Sequence, residues 1–205
     1  MTPLRLVGVL CAAGLGFVYV GAVLSPQGQW VDDEVFGLAQ RVAVGPLRGW
    51  LPSVARGTLP LLMGAAALVG VAWALSRRRW RAVGAAALTV LVSAPASRLL
   101  REYLWRPDLG YSYPFNTLPS THVTVVAALA VAIWMMVGAR SRAFAGVLIA
   151  VTLLAMAGNV VGHAHRPSDV LASVLLVGAV AGFVGSLSWR RWTTPPRGPR
   201  GSVPR

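Results

Sequence analysis

The 205-residue sequence has no lysine, one cysteine, six acidic residues and three histidines. A single cysteine, Cys11, excludes an internal disulfide, and its place inside an apolar run marks it as a packing residue. Charged residues make up 12% of the chain and hydrophobic ones 56%, a balance that excludes an ordinary soluble domain. All 19 basic residues are arginine, and the net charge is +13. These arginines are scattered among short turns and a C-terminal stretch with no recognition fold around them, so nucleic acid is not an expected partner.

What the chain does have is apolar runs. They lie near residues 6–24, 59–75, 83–97, 123–138, 144–161 and 170–187, each close to the length that crosses a hydrocarbon layer. The first is longer than a secretory signal core and "GAVLSPQ" is a poor cleavage site, so it reads as a retained helix. The expected fold is therefore all-α: a polytopic membrane protein with six transmembrane helices in one bundle over residues 1–188. An Arg/Pro/Gly-rich tail, expected to be disordered and cytoplasmic, follows over 189–205. With both termini inside, twelve arginines and no acid share one side, while seven arginines, all six acids and the histidines share the other. The positive-inside rule makes the first side cytoplasmic. Abundant Arg, Ala, Val and Gly without Lys suggests a GC-rich bacterial genome, hence the bacterial cytoplasmic membrane.

Between the first two runs lies "WVDDEVFGLAQRVAVGPLRGW". Val31, Val35, Leu38, Ala39 and Val42 recur at helical spacing, and Asp32, Asp33 and Glu34 sit where a helix start favours negative charge. The pattern predicts an amphipathic helix on the outer interface, anchored by Trp30 and Trp50.

The remaining polar residues gather in two outer loops, one ending in "LWRPDLGYSYPFNTLPSTH" and the other reading "GHAHRPSD". Ser120 or Thr121 can cap one following helix, and Ser168, preceded by Pro167, the other. Both N-termini would then offer unpaired N–H groups to an anion. Arg106 adds a cation that holds phosphate by charge-assisted hydrogen bonds. His165 precedes Asp169 by four residues, an arrangement suited to a nucleophile with an orienting carboxylate, and His122 is placed to serve as general acid. Phosphoryl transfer through a phosphohistidine uses these parts without a metal or other cofactor. A zinc site at "HAH" would need ligands beyond His163 and His165.

In these motifs, "RPD" at Arg106, "PSTH" at Pro119 to His122 and "HRPSD" with His165 and Asp169, the chain resembles the type 2 phosphatidic acid phosphatase superfamily of membrane lipid phosphatases, related to vanadium haloperoxidases. The resemblance runs over about residues 98–183. It implies His165 as nucleophile, Asp169 as its orienting acid and His122 as proton donor, with Arg106, Pro119, Ser120 and Thr121 around the phosphate. The chain departs from the family pattern at three places: Leu99 stands at the Lys position, Gly158 and Asn159 at a Ser-Arg pair, and Thr121 at a Gly. Arg98 or Arg101 is the candidate replacement for the missing Lys, and Arg166 or His163 for the missing Arg.

The expected function is a metal-independent lipid phosphate or pyrophosphate phosphatase with an extracytoplasmic site, acting on polyprenyl (pyro)phosphates or phospholipid phosphates. Its partners would be the bilayer and a membrane lipid substrate. Two alternatives remain: a degenerate member that binds lipid phosphates or a partner without turnover, and a lipid phosphotransferase.

Overall fold

The computed structural model describes residues 2–111, 115–138 and 141–189. Among them are seven helices and no strand. They are α1 (Pro3–Val23), α2 (Pro26–Val42), α3 (Pro46–Ser76), α4 (Trp80–Tyr103), α5 (Thr121–Val137), α6 (Arg142–Val161) and α7 (Pro167–Trp189). Five of these, α1, α3, α4, α6 and α7, are long and apolar enough to cross a membrane. The 17-residue α5 is apolar but shorter, about 25 Å at 1.5 Å per residue. Capping sets its length: the Ser120 hydroxyl takes the Val123 N–H at one end, and Gly138, at φ 82°, turns the chain away at the other. The tail over 190–205 lies outside the described residues.

The short helix and α7 form the centre. α5 packs on α3, α4, α6 and α7, while α7 packs on α1, α4, α5 and α6. Small residues permit this. The sharpest case is α1 against α7, where a Cβ on Gly182 would come within 2.5 Å of the Gly8 backbone nitrogen and 2.8 Å of Leu4 O. Close approach of small residues substitutes here for the hydrophobic driving force that lipid does not supply.

Two boundaries and one buried face differ from the sequence expectation. α2 starts at Pro26, because the Ser25 hydroxyl accepts the Gly28 N–H and proline suits the first helical position. Asp32, Asp33 and Glu34 therefore fall past the first turn. α2 also lays its polar face on the bundle: Gln29, Asp32, Phe36 and Gln40 are buried, while Val31, Val35, Leu38 and Val42 are exposed. α3 begins well before the apolar run and contains a π turn at Val54–Thr58. Pro60 has no N–H to offer Arg56, and the Leu59 N–H reaches five residues back to Val54 O.

The described C-terminal ends of α1, α4 and α6 and the N-terminal ends of α5 and α7 share one end of the bundle, and α2 lies across it. Because Gly182 meets backbone rather than a movable side chain, Gly182→Val is expected to destabilise the detergent-solubilised protein by about 1–3 kcal/mol. A thermal melt checks this, and an unchanged midpoint would mean that α1 does not seat on α7.

Candidate active site

The loop from α4 to α5 is held at several points. The Asn116 side-chain amide donates to the carbonyls of Leu100, Arg101 and Leu118 at 3.2–3.4 Å and accepts the Leu118 N–H. The carbonyls of the two residues flanking Arg106 are tied down from other helices: the Tyr19 hydroxyl donates to Trp105 O at 2.7 Å, and Gln29 Nε2 to Pro107 O at 3.0 Å. Arg106 is thereby fixed with its guanidinium buried, and none of its three nitrogens has a hydrogen-bond partner among the described residues. Burial, and then the neighbouring charge of Arg166, pull its pKa below the usual arginine value, against the opposing pull of Asp169 and Asp32. A second buried guanidinium, Arg166, thus shares the pocket. A buried cation without an acceptor, as Arg106 is among the described residues, is costly unless an anion completes it, and its forked donors suit phosphate oxygens.

Asp169 is the hub. Its Oδ2 accepts the Thr117 hydroxyl at 2.6 Å and the Arg166 N–H at 2.9 Å, and lies 3.4 Å from His165 Nδ1. Its backbone carbonyl accepts the Ser120 N–H at 3.3 Å and the Ser173 hydroxyl at 2.8 Å; the same hydroxyl reaches Ser120 O at 3.0 Å. The starts of α5 and α7 are therefore bound to each other. His165 Nδ1 also lies 3.1 Å from the carbonyl of Thr117. A carbonyl can only accept, so Nδ1 carries the proton and Nε2 keeps its lone pair.

His165, Asp169, Arg106, Arg166, Pro119 and Ser120 are all buried in this region, with Thr121 half-buried beside them. His122 is exposed and interacts electrostatically with His165, Arg56 and Arg101. Arg98 and Leu99 are exposed on α4. Asn159 is buried, but its amide donates to Ala155 O of its own helix at 2.8 Å. Its backbone carbonyl accepts the N–H groups of Ala164 and His165, shaping the turn that presents His165. His163 closes that turn with φ 54° and sets its ring edge-on to Phe36, centroids 5.5 Å apart.

Ser168 does not cap α7 as the sequence suggests. The helix starts one residue earlier, and the Ser168 N–H and hydroxyl both donate to Asp32 of α2, at 2.9 and 2.6 Å. With Asp169 taking the Arg166 N–H, two donors at the start of α7 are already satisfied by protein carboxylates. The expected anion socket there is filled from within. Thr117, Asp32 and Arg56 are the residues that the sequence reading passed over. Only the polar side of α2 carried a signal, Gln29, Asp32 and Gln40 at helical spacing.

Burial raises the Asp32 carboxyl above its ordinary range, against the lowering effect of the Ser168 hydrogen bonds. A raised carboxyl binds its proton more tightly when folded, so the native state loses stability as pH rises from the ordinary carboxyl range through the raised value. Asp32→Asn is expected to flatten that part of the melting-temperature profile. Asp32→Ala, which leaves the Ser168 N–H without an acceptor, is expected to cost about 1–3 kcal/mol at all pH values. Identical pH profiles for wild type and Asp32→Asn would contradict the burial of a titrating carboxyl.

The PAP2 superfamily model matches residues 97–193, a segment that contains Arg106, the start of α5 and the turn into α7. No curated protein and no solved structure matches the chain. Over residues 97–193, which carry the whole Asp169 cluster, the chain is similar to the PAP2 superfamily and is consistent with a member of it.

Proposed function

We propose that the protein is a membrane lipid phosphate or diphosphate phosphatase that works through a phosphohistidine on His165. Similarity to the PAP2 superfamily over residues 97–193 supports a phosphatase-type activity, and the long apolar helices are compatible with an integral membrane protein. The single observation that carries the mechanism is the pairing of His165 Nδ1 with Thr117 O and Asp169 Oδ2, at 3.1 and 3.4 Å. It leaves Nε2 as the nucleophile.

In the first step Nε2 forms a bond to phosphorus while the bond from phosphorus to the leaving oxygen breaks. His122 gives that oxygen a proton. As Nε2 bonds, the imidazole becomes cationic, and the Asp169 carboxylate stabilises it. Arg106 and Arg166 hold the non-bridging oxygens, where the negative charge must be balanced. The N–H groups at the start of α5, including that of Thr121, add the helix-end field. In the second step water attacks phosphorus, His122 takes its proton, the N–P bond breaks and inorganic phosphate leaves.

The orientation in the membrane follows from charge. Arg5, the arginines at 77–79, Arg81 and Arg142 lie at the end opposite the site, and the acids at the site end. The positive-inside rule then faces the site away from the cytoplasm, in the bacterial cytoplasmic membrane. A lipid headgroup reaches a site at that depth without leaving the bilayer.

Purified protein is expected to release inorganic phosphate from detergent-dispersed polyprenyl phosphates or phospholipid phosphates. His165→Ala should reduce the rate by roughly a thousandfold or more, and Arg106→Ala by about tenfold to a few hundredfold. Undiminished release by His165→Ala would refute the assignment. Phosphate appearing only on an added acceptor would identify a transferase instead.

A further inference from the structure

Arg56 lies in α3, outside the matched segment, in the middle of the π turn. Its Nη2 donates to Gly162 O at 2.5 Å, at the turn that leads to His165. Its Nε is buried and has no acceptor among the described residues. The sequence of α6 makes room for this approach. A Cβ on Gly158 would stand 2.3 Å from Ala55 Cβ and 2.7 Å from Leu51 O, and one on Gly162 would stand 1.9 Å from Arg56 Nη2. Glycine at both positions therefore lets α3 close onto α6 and carry a guanidinium to the site.

Arg56 interacts electrostatically with His122, as does Arg101. Arg106, by contrast, interacts with Arg166, Asp169 and Asp32. The site's cations thus divide into two groups, one around the nucleophile's carboxylate and one around the proton donor. A neutral alcohol leaving from the His122 side has no use for two guanidiniums there. A leaving phosphate has, because it carries the charge that the broken bond deposits on the bridging oxygen.

On the phosphatase reading above, we infer that Arg56 binds the leaving phosphate of a lipid diphosphate, and that the site prefers diphosphates to monophosphates. His165 Nε2 bonds to the terminal phosphorus and the bridging P–O bond breaks. The electron pair stays on the bridging oxygen, which becomes an oxygen of the lipid monophosphate, protonated by His122 or held as an anion by Arg56. Arg101 assists from α4. The Nη2 contact to Gly162 O fixes the guanidinium, and its buried Nε retains an unused donor.

The test uses the full chain in detergent with farnesyl diphosphate and farnesyl monophosphate, and compares kcat/KM within each preparation. A loss of folded protein lowers both values and leaves their ratio unmoved. Wild type should favour the diphosphate. Arg56→Ala should lower kcat/KM for the diphosphate by about tenfold to a hundredfold and change the monophosphate value far less, with Arg56→Lys restoring part of the preference. Equal losses on both substrates, or none, would overturn the role of Arg56 while leaving the phosphatase reading intact. A wild type that releases phosphate from neither substrate would overturn both.

Discussion

Everything at the site end of the bundle depends on the carboxylate and carbonyl of Asp169. Its Oδ2 draws in Thr117 from the long loop and the Arg166 N–H from its own turn, and faces the imidazole of His165. Its carbonyl takes the Ser120 N–H and so ties the start of α5 to the start of α7. Each contact is a short polar bond inside an otherwise apolar assembly, where the alternative is a buried polar group with no partner. The network consequently sets the distance between the two helix starts, and with it the position of His122 relative to His165.

A second layer of the same logic comes from outside the family segment. α2 is amphipathic in an unusual sense, since its polar face turns inward and its valines and leucine turn outward. Gln29 binds Val23 O and Pro107 O, Asp32 binds Ser168, and Gln40 Nε2 binds Val160 O at 2.6 Å. Phe36 fills the space between with Val123, Val160 and Val170. One helix thereby touches the Arg106 loop, the end of α6 and the starts of α5 and α7. The outward valines leave an apolar surface that matches the acyl-chain boundary of a bilayer. The buried carboxyl of Asp32, which interacts with Arg106, lowers the electrostatic cost of holding that cation before an anion arrives.

Much of this was legible in the chain. The apolar runs mark α1, α5, α6 and α7 to within a few residues, because twenty apolar residues in succession have few other uses. The positions of His122, His165 and Asp169 beside the starts of α5 and α7 are equally legible, since each side chain sits at a fixed offset from a helix start. Other features depend on partners far away in sequence. The acids of α2 read as an N-terminal charge cluster until Ser25 and Pro26 supply the true start. Ser168 reads as a cap until Asp32, 136 residues away, takes its N–H and hydroxyl. Thr117 carries no motif at all; its role arises because a loop carbonyl happens to face Nδ1.

The sequence alone therefore determined the class of protein, an all-helical chain with membrane-length apolar segments, and which residues are the candidates for phosphoryl chemistry. Local rules suffice for both: hydrophobic length, helix capping and the reactivity of imidazole beside a carboxylate. The tertiary structure alone decided which arginines lie buried around the Asp169 cluster. Arg98, near in sequence to the phosphate motif, is exposed, while Arg166 is buried beside Arg106 and Arg56 arrives from a different helix through space left by Gly158 and Gly162. A long, flexible cationic side chain can satisfy a charge from many positions along the chain. Only packing, which sets where each guanidinium is desolvated and what it faces, selects among them.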